Sequence, residues 1–269
     1  MLKQRTTTAL VLMPVTLGGI FLLPLTSFSM FIATIITLAA WEWAALAGFT
    51  NQLIRVGYAG LTGGMTFLLF SVSPGFLLGM GLTWWLMALL LVTGYPDAWQ
   101  AWQNRVVRLL TGWLILWPAW GGLVYLKAQH QGNFLILYVL LVVWSADTGA
   151  YFTGKAFGKR KLAPHISPGK TREGVFGGLM MTSLVAMIAG WYQQLDVSGY
   201  LWLIVITLIV AMVSVLGDLL ESMFKREAGL KDSSQLLPGH GGVMDRIDSL
   251  TAAVPVFATF WFLWTAMAT

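Results

Sequence analysis

Acids and bases alternate closely in the stretch from Gly217 to Asp248, GDLLESMFKREAGLKDSSQLLPGHGGVMDRID. Asp218 and Glu221 stand three residues apart, as do Asp245 and Asp248, so on a helix each pair shares one face. Paired carboxylates on facing helices suit a hard divalent cation, whose other positions are filled by water or phosphate oxygens. Mg²⁺ is the expected ion. Lys225, Arg226 and Lys231 lie between the acids, so one loop can hold phosphates and metal together. Gly239, Gly241 and Gly242 flank His240 and permit a sharp turn that aims the imidazole. Salt bridging between two helix ends at a membrane interface would account for a single Asp–Lys pair. The density of charge around a glycine-framed histidine makes it the weaker account.

A second group runs from Ser145 to Gly174, SADTGAYFTGKAFGKRKLAPHISPGKTREG. Asp147 precedes Gly149, Gly154 and Gly158, set among Lys155, Lys159, Arg160 and Lys161, and ISPGKTREG then opens directly into an apolar run. Small residues let backbone N–H groups approach an anion, and a helix N-terminus adds partial positive charge. Lys170 and Arg172 bring full charges, and Ser167 and Thr171 bring hydroxyls, so a triphosphate fits this chemistry. Charge alone favours a basic juxtamembrane loop held to anionic lipid. The GxxxxGKT pattern of a P-loop is absent.

The elements that must position these groups are transmembrane helices. Of 269 residues 57% are hydrophobic and 10% charged, with a mean hydropathy of +0.74. A soluble domain carries about a quarter charged residues, and the apolar runs reach the ~20 residues that cross a bilayer. Fourteen Trp and seven Tyr suit the headgroup boundary. Cysteine is absent, which excludes disulfides and thiolate metal sites. Lys3 and Arg5 before an apolar run mimic a signal peptide, but no small-residue cleavage site follows Leu23, so the first helix is expected to stay.

The pattern predicts an all-α, polytopic bundle of about nine spans, at 8–25, 28–48, 55–72, 75–93, 106–126, 133–152, 173–192, 199–222 and 247–267. Pro24, Pro74 and Pro96 interrupt helical hydrogen bonding near span ends, while Asn51, Gln52, Asn104 and Asn133 mark polar turns. Two polar loops, 153–172 and 223–246, are much longer than the rest. With the N-terminus in the cytoplasm, 15 of the 16 Lys and Arg residues fall inside and only Lys127 outside, as the positive-inside rule requires. Asp147, Asp218, Glu221, Asp245 and Asp248 then come from three helices to one membrane depth. Ionised carboxylates there face a polar cavity or a partner. Residues 1–269 are expected to form a single integral membrane domain, with helices alone in 1–130 and the site in 131–269.

Ser222, Lys225, Arg226, Lys231, Asp232, Ser234 and the run from Leu237 to Asp248, LPGHGGVMDRID, match without a gap the signature of the phosphatidate cytidylyltransferases, also called CDP-diglyceride synthases. ISPGKTREG, the run Asp147 to Tyr151, and Trp41-Glu42-Trp43 also resemble that family, and the likeness spans the chain. The resemblance implies transfer of cytidylyl from CTP to phosphatidic acid, giving CDP-diacylglycerol and pyrophosphate with Mg²⁺, and makes Asp218 and Asp245 carboxylates of the metal site. On that basis Ser167, Lys170, Thr171 and Arg172 are expected to bind CTP phosphates. Lys225, Arg226 and Lys231 neutralise the lipid phosphate or the α-phosphate, and His240 bonds the leaving group or positions its neighbours. Asp147, Asp248 and Arg246 complete the substrate-binding set, and the further acids leave room for a second cation. Membrane lipids and a second copy of the chain, rather than a nucleic-acid polymer, are the expected further partners, in a bacterial inner membrane with the site facing the cytoplasm.

Two rivals use similar parts. A CTP-dependent lipid kinase would release CDP instead of pyrophosphate, and a secondary transporter would place its acids near the membrane centre in broken helices. Glu42 fits a lipid-headgroup or substrate contact, or a pairing with a polar group of a neighbouring helix. His130 and His165 fit solvated or local turn positions, Met180, Met181 and Met187 an apolar outer face, and Gly18-Gly19, Gly63-Gly64 and Gly177-Gly178 close helix contacts.

Overall fold

The computed structural model describes residues 2–268, and among them nine α-helices carry nearly all the regular structure. These are α1 (Leu2–Leu22), α2 (Leu25–Leu46), α3 (Gln52–Leu69), α4 (Pro74–Thr93), α5 (Arg105–Lys127), α6 (Gly132–Phe157), α7 (Arg172–Tyr192), α8 (Val197–Glu227) and α9 (Met244–Ala268). A short 3-10 helix, Asp97–Trp102, lies between α4 and α5. The polar breaks in the sequence are helix caps. The side chains of Asn51, Asn104 and Asp196 accept the amides of Leu53, Val106 and Gly199 at 2.8, 2.8 and 2.9 Å, filling donors that each first turn leaves free.

Seven helices, α2 and α4 to α9, are long and apolar enough to cross a bilayer. The expected nine spans coincide with nine helices, but α1 has an apolar part of only Thr6–Leu22, and α3 carries Gln52 and Arg55 in its first turn. The helical expectation is also amended by one hairpin. Strands β1 (Lys161–Ala163) and β2 (Ser167–Thr171) pair antiparallel, with Lys161 opposite Thr171 and Ala163 opposite Ser167. Pro164 and Pro168 lack the N–H that a helix would need here, so this loop pairs across strands instead.

Several backbone carbonyls inside the bundle are satisfied by indoles and hydroxyls. Pro255 in α9 cannot donate to the carbonyl one turn earlier, that of Thr251, and Trp85 Nε1 of α4 takes its place at 3.2 Å. Trp43 and Tyr58 likewise donate to the Arg108 and Leu109 carbonyls, both at 2.8 Å. At Gly81 a Cβ would lie 2.7 Å from Pro118 Cβ and 3.0 Å from Pro255 Cβ, so only a glycine lets α4 meet α5 and α9 so closely. Helices α6 and α7 touch backbone to backbone, since a Cβ on Gly178 would come within 2.7 Å of the Ala146 carbonyl. Met180, Met181 and Met187 point outward from α7, as an apolar outer face requires.

Side-chain contacts sort the helix ends into two sets. Thr8 donates to Pro238 O at 2.9 Å, and Tyr95 donates to Glu227 at 2.7 Å, which brings the start of α1 and the ends of α4 and α8 together. Burial, reinforced by that carboxylate, pushes the Tyr95 phenol up to about 12, so it remains a donor at neutral pH. At the other end Lys127 meets the Ile20 carbonyl and Asn133, and Gln193 meets Gln131. The long polar segments 158–171 and 228–243 both belong to the first end.

Candidate active site

The hairpin and the start of α7 form one wall of this end. Glu173 draws the preceding chain inward: its carboxylate accepts the amides of Lys159 and Arg160 at 3.1 Å each, and the Arg160 guanidinium at 3.0 Å. Thr171 caps α7 through Gly174 N at 3.1 Å and is buried, so its hydroxyl serves the fold here and not an open surface. Arg226 Nε, at the end of α8, donates to the Ile166 carbonyl at 3.2 Å and ties this wall to the second polar segment. Ser167 is half-buried in β2, and Arg172 is exposed at the first residue of α7.

The acids lie beneath that wall and each lysine has its own. Lys170 Nζ is 2.6 Å from Asp218 Oδ2, whose other oxygen accepts Ser222 Oγ at 3.1 Å. Lys225 bridges Glu221 Oε2 at 2.5 Å and Asp245 Oδ1 at 2.7 Å. Asp245 Oδ2 takes three more donors: Gly242 N at 2.7 Å, Ser233 N at 2.9 Å and Ser233 Oγ at 2.9 Å. Asp147 and Asp248 both feel the charge of Asp218, with Lys170 close to each and Arg246 close to Asp147. Asp218 and Asp245 thus face one end of the bundle, held by different lysines.

The carboxylates offer hard oxygens, and two polar atoms at this end are buried without a partner among the described residues, Glu221 Oε1 and His240 Nδ1. Among those residues no three acids or histidines already converge as ligands would. The chemistry of the carboxylates fits a divalent cation; the ammonium groups of Lys170 and Lys225 now neutralise them. Gly239 and Gly241, at φ +75° and +79°, bracket His240 in the backbone region open to glycine, as the sequence led us to expect. Lys231 and Arg246 are exposed at the rim.

The model of a family described as the cytidylyltransferase family matches residues 3–264. The chain belongs to the cytidylyltransferase family. It is 52% identical over 268 residues to the phosphatidate cytidylyltransferase of Pseudomonas aeruginosa, covering 99% of this chain and 98% of that protein. It is 43% identical over 288 residues to the phosphatidate cytidylyltransferase of Haemophilus influenzae, covering 97% of this chain and 99% of that one. A shorter match to the Bacillus subtilis phosphatidate cytidylyltransferase, 48% identical over 124 residues, covers 46% of each chain.

In this cytidylyltransferase the sequence clusters around Lys170 and around Asp218 to Asp248 come together. One residue at the same end was not assigned to the site from sequence. Glu42 of α2 has no exposed surface and accepts four hydrogen bonds from the segment 233–244. Its signal was present: it is the one charge in an otherwise apolar helix, and a lone buried acid must have a partner.

Proposed function

We propose that this cytidylyltransferase is an integral membrane phosphatidate cytidylyltransferase, joining CTP and phosphatidic acid into CDP-diacylglycerol with release of pyrophosphate. In the reaction a phosphate oxygen of the lipid attacks the α-phosphorus of CTP, and the bond from that phosphorus to the β-phosphate oxygen breaks. The lipid phosphate is already an anionic nucleophile, so the protein's task is to bring two polyanions together and stabilise the charge. The observation that carries the proposal is the 2.6 Å contact of Lys170 with Asp218, which joins the phosphate-style loop to the acidic helix ends.

Lys170, Arg172 and Ser167 would take the CTP phosphates, with Thr171 holding the start of α7 beneath them. Arg246, at the rim beside Asp147, would take part in the same binding. Lys225, Arg226 and Lys231 would face the lipid phosphate or the α-phosphate. Mg²⁺, held by Asp218 and Asp245 with Asp147 and Asp248 nearby for a second cation, would supply charge neutralisation for the phosphates and the leaving group. Lys170 and Lys225 stand where positive charge is wanted, and turning from carboxylate to phosphate costs each no ionic partner. His240, with Nδ1 buried and unpaired, would bond the leaving group or position its neighbours.

We place the site in the cytoplasm of a bacterial inner membrane, with nine spans, the N-terminus inside, a single domain and a homodimer as the working assembly. Support for the orientation comes from the cations gathered at one end, with Lys127 at the other. The test is purified protein with Mg²⁺, phosphatidic acid and CTP labelled in the cytidine or at the γ-phosphate. The expected product is a lipid that keeps the cytidine, with labelled pyrophosphate released. A lipid that keeps the γ-phosphate, with CDP released, would overturn the proposal in favour of a kinase.

A further inference from the structure

Glu42 reaches from α2 to the other end of the sequence. Oε1 accepts Ser234 Oγ at 2.6 Å and Val243 N at 2.9 Å, while Oε2 accepts Met244 N at 2.6 Å and Ser233 Oγ at 3.1 Å. All four partners are donors, with Ser233 sharing its one hydroxyl proton between Glu42 and Asp245, which matches the acceptor-only oxygens of a carboxylate. Among the described residues no Lys or Arg forms an ion pair with it; Arg55 is its electrostatic neighbour. A buried acid is tolerable in such a place because its lone pairs are filled. Val243 and Met244 supply the leading amides of α9, which have no partner within the helix and form its positive end. Glu42 is therefore the cap of α9, supplied from a helix 201 residues away in sequence.

The same carboxylate holds both ends of one loop. Ser233 and Ser234 open the stretch that contains His240, and Val243 and Met244 close it. Ser233 Oγ lies between Glu42 Oε2 at 3.1 Å and Asp245 Oδ2 at 2.9 Å, so a single side chain separates Glu42 from the proposed metal carboxylate. The fit is close: a Cβ on Gly242 would lie 2.1 Å from Ser233 Oγ and 2.5 Å from Glu42 Oε1. We infer that Glu42 is a positioning residue of the site, clamping the loop 233–243 and the first turn of α9 so that Asp245, Asp248 and His240 keep their places; the inference rests on the transferase function proposed above.

Glu42→Gln is the discriminating change. Each oxygen receives one backbone N–H, so in either orientation the new amide NH₂ faces a donor. The variant, checked for helicity and monodispersity in detergent, should exchange the amide of Val243 or Met244, whichever faces the new NH₂, at least about tenfold faster than wild type, since the bond that protects it is lost. Per folded molecule its kcat should fall on the order of 10–100-fold, as an ångström-scale misplacement does, with KM for CTP within about threefold. A purely structural role would lower the yield of folded protein without that split. Unchanged exchange, a kcat within about twofold of wild type, or a rise in KM alone would overturn the inference. Should the Gln variant not fold, Ser234→Ala removes one donor to Oε1. It should speed loop exchange and lower kcat about three- to tenfold, and wild-type values for both would overturn the inference. Exchange is read without turnover, so an inactive wild type would count against the function and leave the clamp to be judged on its own.

Discussion

Lys225 holds together two carboxylates with almost no access to solvent. Glu221 and Asp245 have side chains 1% and 5% exposed, and the ammonium lies 2.5 and 2.7 Å from them. Replacing Lys225 with Met keeps an unbranched side chain one atom shorter and removes the charge. Breaking a buried ion pair in this way costs about 3–5 kcal/mol, because the surviving charge is left unpaired. Here the loss falls unequally. Asp245 keeps the Ser233 and Gly242 donors, whereas Glu221 loses the partner of Oε2, and its Oε1 is already unpaired. The cost is thus that of one stranded carboxylate, not two, and corresponds to roughly 10²–10⁴ in the ratio of folded to unfolded protein. Glu221→Gln in the Lys225→Met background removes the stranded charge and should recover all but about 1–2 kcal/mol, the cost of an unsatisfied amide. Denaturant unfolding in mixed micelles, followed by tryptophan fluorescence, measures both. Turnover should stay low in the double variant, since Lys225 is proposed to face a phosphate, and this would separate its two roles. A single-variant cost below about 1 kcal/mol, or a second substitution that adds to the damage, would refute the reasoning.

Asp245→Ala removes the carboxylate that Lys225, Ser233 and Gly242 surround, and should end CDP-lipid formation while leaving membrane insertion and helicity intact; near-normal activity would take Asp245 out of the site. Gly178→Val puts a side chain where even a Cβ would lie 2.7 Å from the Ala146 carbonyl, so α6 and α7 must separate. Thermal unfolding should register a loss of about 1–3 kcal/mol, the usual cost of overpacking, and a smaller change would mean the helices slide freely.

Helix positions were legible because each break carries its own chemistry. Asn51 and Asn104 read as polar turns and prove to be caps, and the alternation of short and long loops follows from where charge could leave the apolar phase. The gathering of Lys170 with Asp218 was legible as a shared depth, since both lie at span ends on one side. The pairing itself was not. Nothing in spacing says whether an acid meets a lysine or a metal. Thr171 was ambiguous for a related reason: a hydroxyl before a helix fits a phosphate site and an N-cap equally, and the cap and burial seen here are properties of packing. The hairpin escaped because strands of three and five residues give too little alternation to register.

Residues 1–130 carry few motifs, and their chemical part lies in what α9 lacks by itself. Its first amides need an acceptor, and Glu42 of α2 provides one. Pro255 strands the Thr251 carbonyl, and Trp85 of α4 covers it. Its middle turns need neighbours thin enough to come close; a Cβ on Gly122 of α5 would lie 2.9 Å from Val254, and one on Gly81 of α4 3.0 Å from Pro255. Each is a polar or steric debt that a bilayer would not settle, because lipid tails offer neither acceptor nor donor. A helix that starts with Asp245 and Asp248 at the polar end can hold them still only if the rest of its length is anchored, and that anchoring comes from α2, α4 and α5.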